Sequence, residues 1–487
     1  RVFQVAMSDL TRFYGPVDLS INDMDIRSAR PETRSGPRRG SAESEPPLGN
    51  YCERHGRCNV GCLPGAGQTL NKQIFRALYG STDSGGLDQT PMNPGSCLFR
   101  NVALQLQTLA EVTHLSRPDE QGPYQVQFQQ RPVEDPRQPA RTVVVTADRV
   151  IVAAGSLGTT ALLLRSRQRH ADTEGKEGLG ALSARLGHGF SPNGDHIAFL
   201  PDIAERVNLT FGPVTTSFAQ FKPDAPMAAG FHNVEDQGVP RSLAGLVGHG
   251  IPLVQQLVRG EQVETFVHGL SAGLTALQKI YDQSPERRRP ALAAADMSSD
   301  RPESEDELTS RMMCVVAQGK DDAVGQFTLE GGRLRAKRPD GVPFHQDPIY
   351  ADIEATLDRL ARRLRPDDPD AKFISPTSKK LFPGVPPTVM TTHPLGGCPM
   401  GESVDKGVVD EWGRVFREGP AGTSFHEGLY IADGSMVPTA LGVNPALTIS
   451  AVALRVADRV VADWDRIPSR AAAGGGGSLQ CDGALKT

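Results

Sequence analysis

No stretch of this 487-residue chain approaches the ~20 consecutive apolar residues that a membrane-spanning helix needs. Basic residues are not in excess either. Lys and Arg number 52 against 57 Asp and Glu, a net charge of −5, so the sequence has no positive field of the kind a nucleic-acid partner requires. Its two basic clusters, Arg287 to Arg289 and Arg362 to Arg365, read as solvated faces. Cysteines are few and odd in number, seven in all, which excludes a scaffold built on disulfides. Three of them, Cys52, Cys58 and Cys62, are grouped as C-x5-C-x3-C without the C-x-x-C pair common in structural metal sites. His55 or Cys97 could complete a four-ligand set, but local packing or a single disulfide is the reading the spacing favours. The glycine fingerprint G-x-G-x-x-G, which lets backbone N–H groups approach a pyrophosphate, is also missing. Gly178-Leu-Gly180 follows a charged stretch rather than a strand, and Gly65-Ala-Gly67 has no third glycine. No signal peptide is visible, and a cytoplasmic location is the expectation.

The chain does have enough apolar content, 38%, to bury a large core over two or three domains. Three segments lack any apolar period: Pro31 to Gly49, Ser284 to Glu307 and the tail after Pro468, whose Gly-rich run has a linker's composition. Between them the pattern is that of an α/β protein. Val102 to His114, Tyr124 to Gln129, Thr142 to Val145 and Val150 to Ala154 read as strands. Gly155-Ser-Leu-Gly158 then turns into a helix carrying Leu162, Leu163 and Leu164, a strand–turn–helix unit of a parallel sheet. Ile349, Ile353, Leu357, Leu360 and Leu364 recur at helical spacing and predict one amphipathic helix.

Two stretches near the carboxyl end carry the chemistry. His393 to Met400 reads H-P-L-G-G-C-P-M, and Asp433 to Thr448 reads D-G-S-M-V-P-T-A-L-G-V-N-P-A-L-T. Each sets one polar side chain among small residues, as a site needs when it must touch a flat cofactor. Leu429 to Ala432 predicts a buried strand ending in a turn at Asp433-Gly434. Asn444-Pro445 matches a helix cap followed by proline at the first helical position. A helix follows to about Trp464, with Ile449, Val452, Ala453, Val456 and Val460 on its inner face. Its amino end suits an anion or a developing negative charge.

These residues resemble the glucose-methanol-choline (GMC) oxidoreductases, the cholesterol-oxidase-like branch above all. Weaker matches are Gly65 to Lys72, Ala110 to Val112, Val150 to Gly158 and Ser191-Pro-Asn-Gly-Asp195. The resemblance implies FAD as cofactor, a small-molecule alcohol as substrate and oxygen or another electron acceptor. It implies a discontinuous Rossmann-like FAD domain (residues 50–190 and 391–466) and a substrate domain on a mainly antiparallel sheet (191–390). An irregular amino-terminal segment (1–49) and a disordered tail (467–487) flank them. Because the glycine fingerprint is absent, the FAD domain is expected to lack its first βαβ unit.

The resemblance gives His393 the role of base for the hydroxyl proton and Asn444 that of orienting the hydroxyl, chemistry both side chains can do. A lone histidine is otherwise an ordinary surface or core residue. Asp433 and Gly434 would contact the ribityl or phosphate region, although a carboxylate at a strand end can simply cap its turn. Asn444 and Pro445 would lie against the flavin ring. Val112 would meet adenine through its backbone, unless it is a plain strand valine, and Gly155 would allow close approach to the same nucleotide half. Glu235, followed by Pro240, resembles a glutamate that moves a proton during steroid double-bond isomerisation; a solvated loop glutamate is the simpler reading. Val263, Phe266, Val267, Leu270, Leu274 and Leu277 would line a hydrophobic cavity or form ordinary core. The rival to an enzyme is a catalytically incomplete remnant, or one subunit of a split enzyme that needs a partner polypeptide to bind FAD.

Overall fold

The computed structural model describes residues 2–16, 106–132, 135, 137–207, 209–210, 214–222, 229–239, 310–375, 389–419 and 424–467. The cysteine group at 52–62, the glycines at 65–67 and the apolar positions from 263 to 277 lie outside them. The chain divides into two compact units. One comprises residues 1–105, 196–318 and 350–389, the other 106–195, 319–349 and 390–487.

The first unit is built on a five-stranded sheet. Its strands are β1 (Tyr14–Pro16), β7 (His196–Leu200), β8 (Ser217–Phe221), β9 (His232–Gln237) and β10 (Met313–Gly319), in the order β1-β8-β9-β10-β7. The pairings β1/β8, β8/β9 and β10/β7 are antiparallel. In β7 and β8 every second residue is buried, the alternation of a sheet with one covered face. A short helix α1 (Val2–Ser8) and the long helix α3 (Pro348–Leu364) belong to this unit almost entirely. Helix α3 starts at a side-chain cap. Asp347 Oδ1 accepts from the Ile349 N–H at 3.0 Å, Pro348 takes the first helical position, and Arg362 and Arg363 close the last turn, where positive charge suits the helix dipole. Ile349, Ile353, Leu357, Leu360 and Leu364 are all buried.

Among its described residues the second unit has three small sheets. β2 (Ala110–Ser116), β3 (Tyr124–Gln130) and β4 (Arg141–Ala147) form an antiparallel meander. Its first strand opens at Ala110, several residues later than the sequence pattern suggests. β6 (His188–Phe190), β11 (Gly325–Glu330) and β12 (Arg333–Lys337) form a second antiparallel set. The third has the order β13-β14-β5, with β5 (Val150–Val152), β13 (Arg414–Arg417) and β14 (Ser424–Ile431). Here β14 pairs parallel with β5 and antiparallel with β13. Two helices follow the paired parallel strands: α2 (Gly155–Asp172) after β5, and α4 (Ala446–Ala462) after β14. Val152, Leu162, Leu163, Leu164, Leu429, Tyr430, Ile431, Val456 and Val460 meet in one core, so the strand–turn–helix unit read from the sequence exists. Among the described residues the fold mixes helices with mainly antiparallel sheets, and the strand pair β14/β5 is parallel. No helix among the described residues is long and apolar enough to cross a membrane.

Candidate active site

The two carboxyl-terminal stretches run side by side. Backbone N–H groups of Gly396, Cys398 and Met400 donate to the carbonyls of Gly434, Ser435 and Met436 at 2.9–3.0 Å. The glycines between them serve protein packing rather than an approach to a ligand. A Cβ on Gly397 (φ +104°) would lie 2.1 Å from Thr160 Oγ1, and one on Gly396 would lie closer still to the Gly189 carbonyl. Only glycine lets the H-P-L-G-G-C-P-M segment fit against α2 and β6.

Asp433 ties this arrangement to α2. Its Oδ1 accepts from the Ser435 N–H at 2.8 Å, while Oδ2 accepts from the Gly155 N–H at 2.9 Å and the Thr159 hydroxyl at 2.5 Å. The residue in the cap position of α2, Ala154, has no side chain to offer, so a carboxylate from the end of β14 satisfies the exposed donor instead. Gly155 adopts φ +77°, and a Cβ there would meet nothing within 4 Å; the backbone is open beside it. Asp433, Gly434 and Gly155 are thus brought together. Val112 is not in this group: it sits in β2 next to a bulge and packs partly buried against the core.

His393 is fixed by a residue the sequence quoted only as part of a weak match. Asp195 Oδ1 lies 2.8 Å from His393 Nδ1. Its Oδ2 accepts from the backbone N–H groups of Thr392 (2.6 Å) and His393 (2.9 Å) and from the hydroxyls of Thr391 (2.9 Å) and Thr392 (3.3 Å). The imidazole is partly exposed, with 22% of its side chain accessible, whereas the Asp195 side chain is buried. The same pentapeptide also holds the loop that leads to Asn444. Asn193, buried with φ +57°, accepts at Oδ1 from the N–H groups of Leu441 and Gly442 and donates through Nδ2 to the Val443 carbonyl, all within 2.9 Å. Ser191 exchanges both backbone hydrogen bonds with Leu395. A short polar turn therefore touches both sides of the site.

Beneath the turn lies Asp321, which accepts from the Ser191 hydroxyl (2.8 Å), the Gly194 N–H (2.9 Å) and the Ala323 N–H (2.8 Å). Burial still pushes its carboxyl up to about 6, because three donors only partly replace lost water.

Asn444 does not cap α4. The cap position falls on Pro445, which makes no side-chain cap bond, and Asn444 itself is exposed while Pro445 is buried. The amide is left available to a ligand, and no side chain at the cap position covers the helix's amino-terminal N–H groups. This end of the site fits an electron-rich ring such as a flavin's, with uncapped donors and a positive dipole; the backbone of Gly155, open on its Cβ side, bonds to Asp433.

Glu235 is not a solvated loop residue. It is buried in β9, where Oε1 accepts from Asn233 Nδ2 at 2.8 Å; the same Nδ2 lies 3.2 Å from Gln318 Oε1. The sequence misplaced it because His232 to Gln237 is mostly polar and carries no apolar alternation. The residues that sequence reasoning passed over were Asp195, Asn193 and Asp321. The first two had a visible signal, an Asn-Gly-Asp run of the sort that forms a left-handed turn.

Residues 380–453 match the sequence profile of the GMC oxidoreductases. A cholesterol oxidase of Acinetobacter baumannii is 38% identical over 96 residues, 18% of this chain and 16% of that protein. A cholesterol oxidase of Mycobacterium tuberculosis (strain CDC 1551 / Oshkosh) is 25% identical over 428 residues, 84% of this chain and 59% of that one. A long-chain-alcohol oxidase of Arabidopsis thaliana is 36% identical over 153 residues, 31% of this chain and 16% of the relative. The chain thus spans between about a sixth and three fifths of these relatives. The profile match takes in His393, Asp433 and Asn444 together, so over this segment the chain is similar to the GMC oxidoreductases.

Proposed function

We propose that this chain carries the alcohol-oxidising site of an FAD-dependent enzyme, with a hydrophobic secondary alcohol, sterol-like in character, as substrate. The observation that carries the reading is His393 braced by Asp195 on the segment that runs alongside Asp433 to Met436. His393 takes the hydroxyl proton at its ring nitrogen, and the exposed Asn444 amide orients the hydroxyl by donating to it or accepting from it. FAD, when bound, supplies the acceptor for the hydride lost from the carbinol carbon, with oxygen or another compound re-oxidising it. The amino end of α4 with Asn444 and Pro445 would hold the flavin ring, and Gly155 with the Asp433–Gly434 turn would line the nucleotide side. Val112 would approach the adenine. The substrate class rests on what the relatives are called, cholesterol oxidase and long-chain-alcohol oxidase. Glu235, buried and polar, keeps its candidacy as a group that moves a proton on the substrate.

The test is an anaerobic titration of the purified, FAD-reconstituted chain with a panel of alcohols. Bleaching of the flavin by hydrophobic secondary alcohols is expected. Bleaching by some other donor and by no alcohol would reject the substrate class.

A second reading has its own support. Leu447, Leu454 and Val461 of α4 are 83%, 69% and 72% exposed and, seven residues apart, fall on one stripe of the helix. Ile151 of β5 and Leu157 of α2 are each at least half exposed. Apolar surface of that kind suits a partner polypeptide that completes the FAD site, and the chain alone would then bind no flavin. Stoichiometric FAD on the isolated chain eliminates this reading.

A further inference from the structure

We propose that Asp195 is a positioning residue that sets which nitrogen of His393 carries the proton, and so makes Nε2 the base. The inference rests on the reading of His393 as base, and its physical content is confined to the five residues from Ser191 to Asp195 and their partners. A carboxylate oxygen can accept hydrogen bonds and has no hydrogen to give. Asp195 Oδ1, 2.8 Å from His393 Nδ1, therefore requires the ring proton to be on Nδ1 in the neutral imidazole. The lone pair that can take a proton is then on Nε2. The other oxygen is fully used. With two N–H groups and two hydroxyls on Oδ2, the carboxylate cannot rotate away without breaking the clamp on the backbone of Thr392 and His393.

That unequal use of the two oxygens yields an unusual variant. In Asp195→Asn the amide oxygen is drawn to the Oδ2 position, since four donors converge there and an NH2 group would face all of them. The NH2 group must then occupy the Oδ1 position and donate to His393 Nδ1. The backbone clamp survives, but Nδ1 becomes the acceptor and the ring proton moves to Nε2. The base is switched off by a tautomer change while shape and contacts are kept, the logic by which a triad Asp→Asn substitution in a serine protease disables a correctly placed histidine.

The experiment is long-range ¹H–¹⁵N correlation on the full chain labelled with [¹⁵N]histidine, with the His393 signals identified by their loss in His393→Gln. Above the imidazole's titration, wild type is expected to show a proton-bearing Nδ1 and a bare Nε2, and Asp195→Asn the reverse. Flavin reduction by alcohol should fall about 10³-fold in Asp195→Asn. A proton on Nε2 in wild type overturns the proposal, even if the variant does not fold. So does the same tautomer in both proteins. Should the tautomers invert as expected while His393→Ala still reduces flavin normally, Asp195 retains its role in orienting the ring, and the assignment of His393 as base is lost.

Discussion

Asn444 is the residue at which sequence and structure part most usefully. Read as a helix cap, it would contribute ~1 kcal/mol to stability, and its removal would confuse folding with chemistry. In the structure it is exposed and Pro445 holds the cap position. Asn444→Ala is therefore expected to leave the denaturation midpoint unchanged within about 0.5 kcal/mol, while alcohol-dependent flavin reduction slows. A loss of stability as large as a missing cap would show that the amide does hold the helix. Asn193 supplies the complementary case. Asn193→Asp keeps an acceptor for Leu441 and Gly442 but sets a carboxylate oxygen against the Val443 carbonyl in place of the present donor. Loss of that bond and the repulsion replacing it should cost about 1–3 kcal/mol and weaken substrate turnover together with stability, as a thermal melt and a steady-state assay on one preparation would reveal.

The elements were legible where one physical signal dominated. Helix α3 has buried residues at 349, 353, 357, 360 and 364, and spacing alone located it. The strand–turn–helix from Val150 to Asp172 was equally plain. The stretch from His393 to Met400 reads as small residues beside a flat cofactor, but the space at Gly396 and Gly397 is filled by protein, because a sequence shows that a Cβ is absent and not what fills the space. The structure separates the two cases. Gly397→Ala drives a Cβ onto Thr160 and should cost several kcal/mol, whereas Gly155→Ala meets open space and should cost only the ~1–2 kcal/mol of a left-handed residue. Equal losses in a denaturant titration would mean that the Gly397 contact is not a tight one. Strand β14 carries a further prediction in His426. Burial pushes this imidazole down from its ordinary 6.5 to about 4. Its folded-state value lies below the unfolded one, so its contribution is intact above pH 6.5 and disappears as pH falls toward 4, by about 3 kcal/mol. Relative to His426→Gln, wild type should lose stability across that window; a pH-independent difference between the two would contradict the burial argument.

For the whole molecule, what could be read from sequence was the resemblance that the profile match over residues 380–453 repeats and the mixed helix and strand architecture. What could not be read was how the site is held together. Asp195 and Asn193 lie some 200 and 250 residues from their partners, and no local pattern signals contacts of that range. The exposed stripe on α4 was hidden for the same reason, since the helical period at 447, 454 and 461 fixes a common face without saying whether anything covers it. If that face receives a partner polypeptide, Leu454→Glu should leave the monomer's melting unchanged and abolish FAD uptake in a reconstitution with the partner. Unaltered FAD uptake would remove the stripe from the account.

The central claim is that His393 accepts the substrate's proton, and anaerobic stopped-flow reduction of FAD-loaded wild type and His393→Ala by the same alcohol tests it most directly. The account predicts a reduction rate at least about 10²-fold lower in the variant with FAD still bound. Equal rates in the two proteins would contradict it.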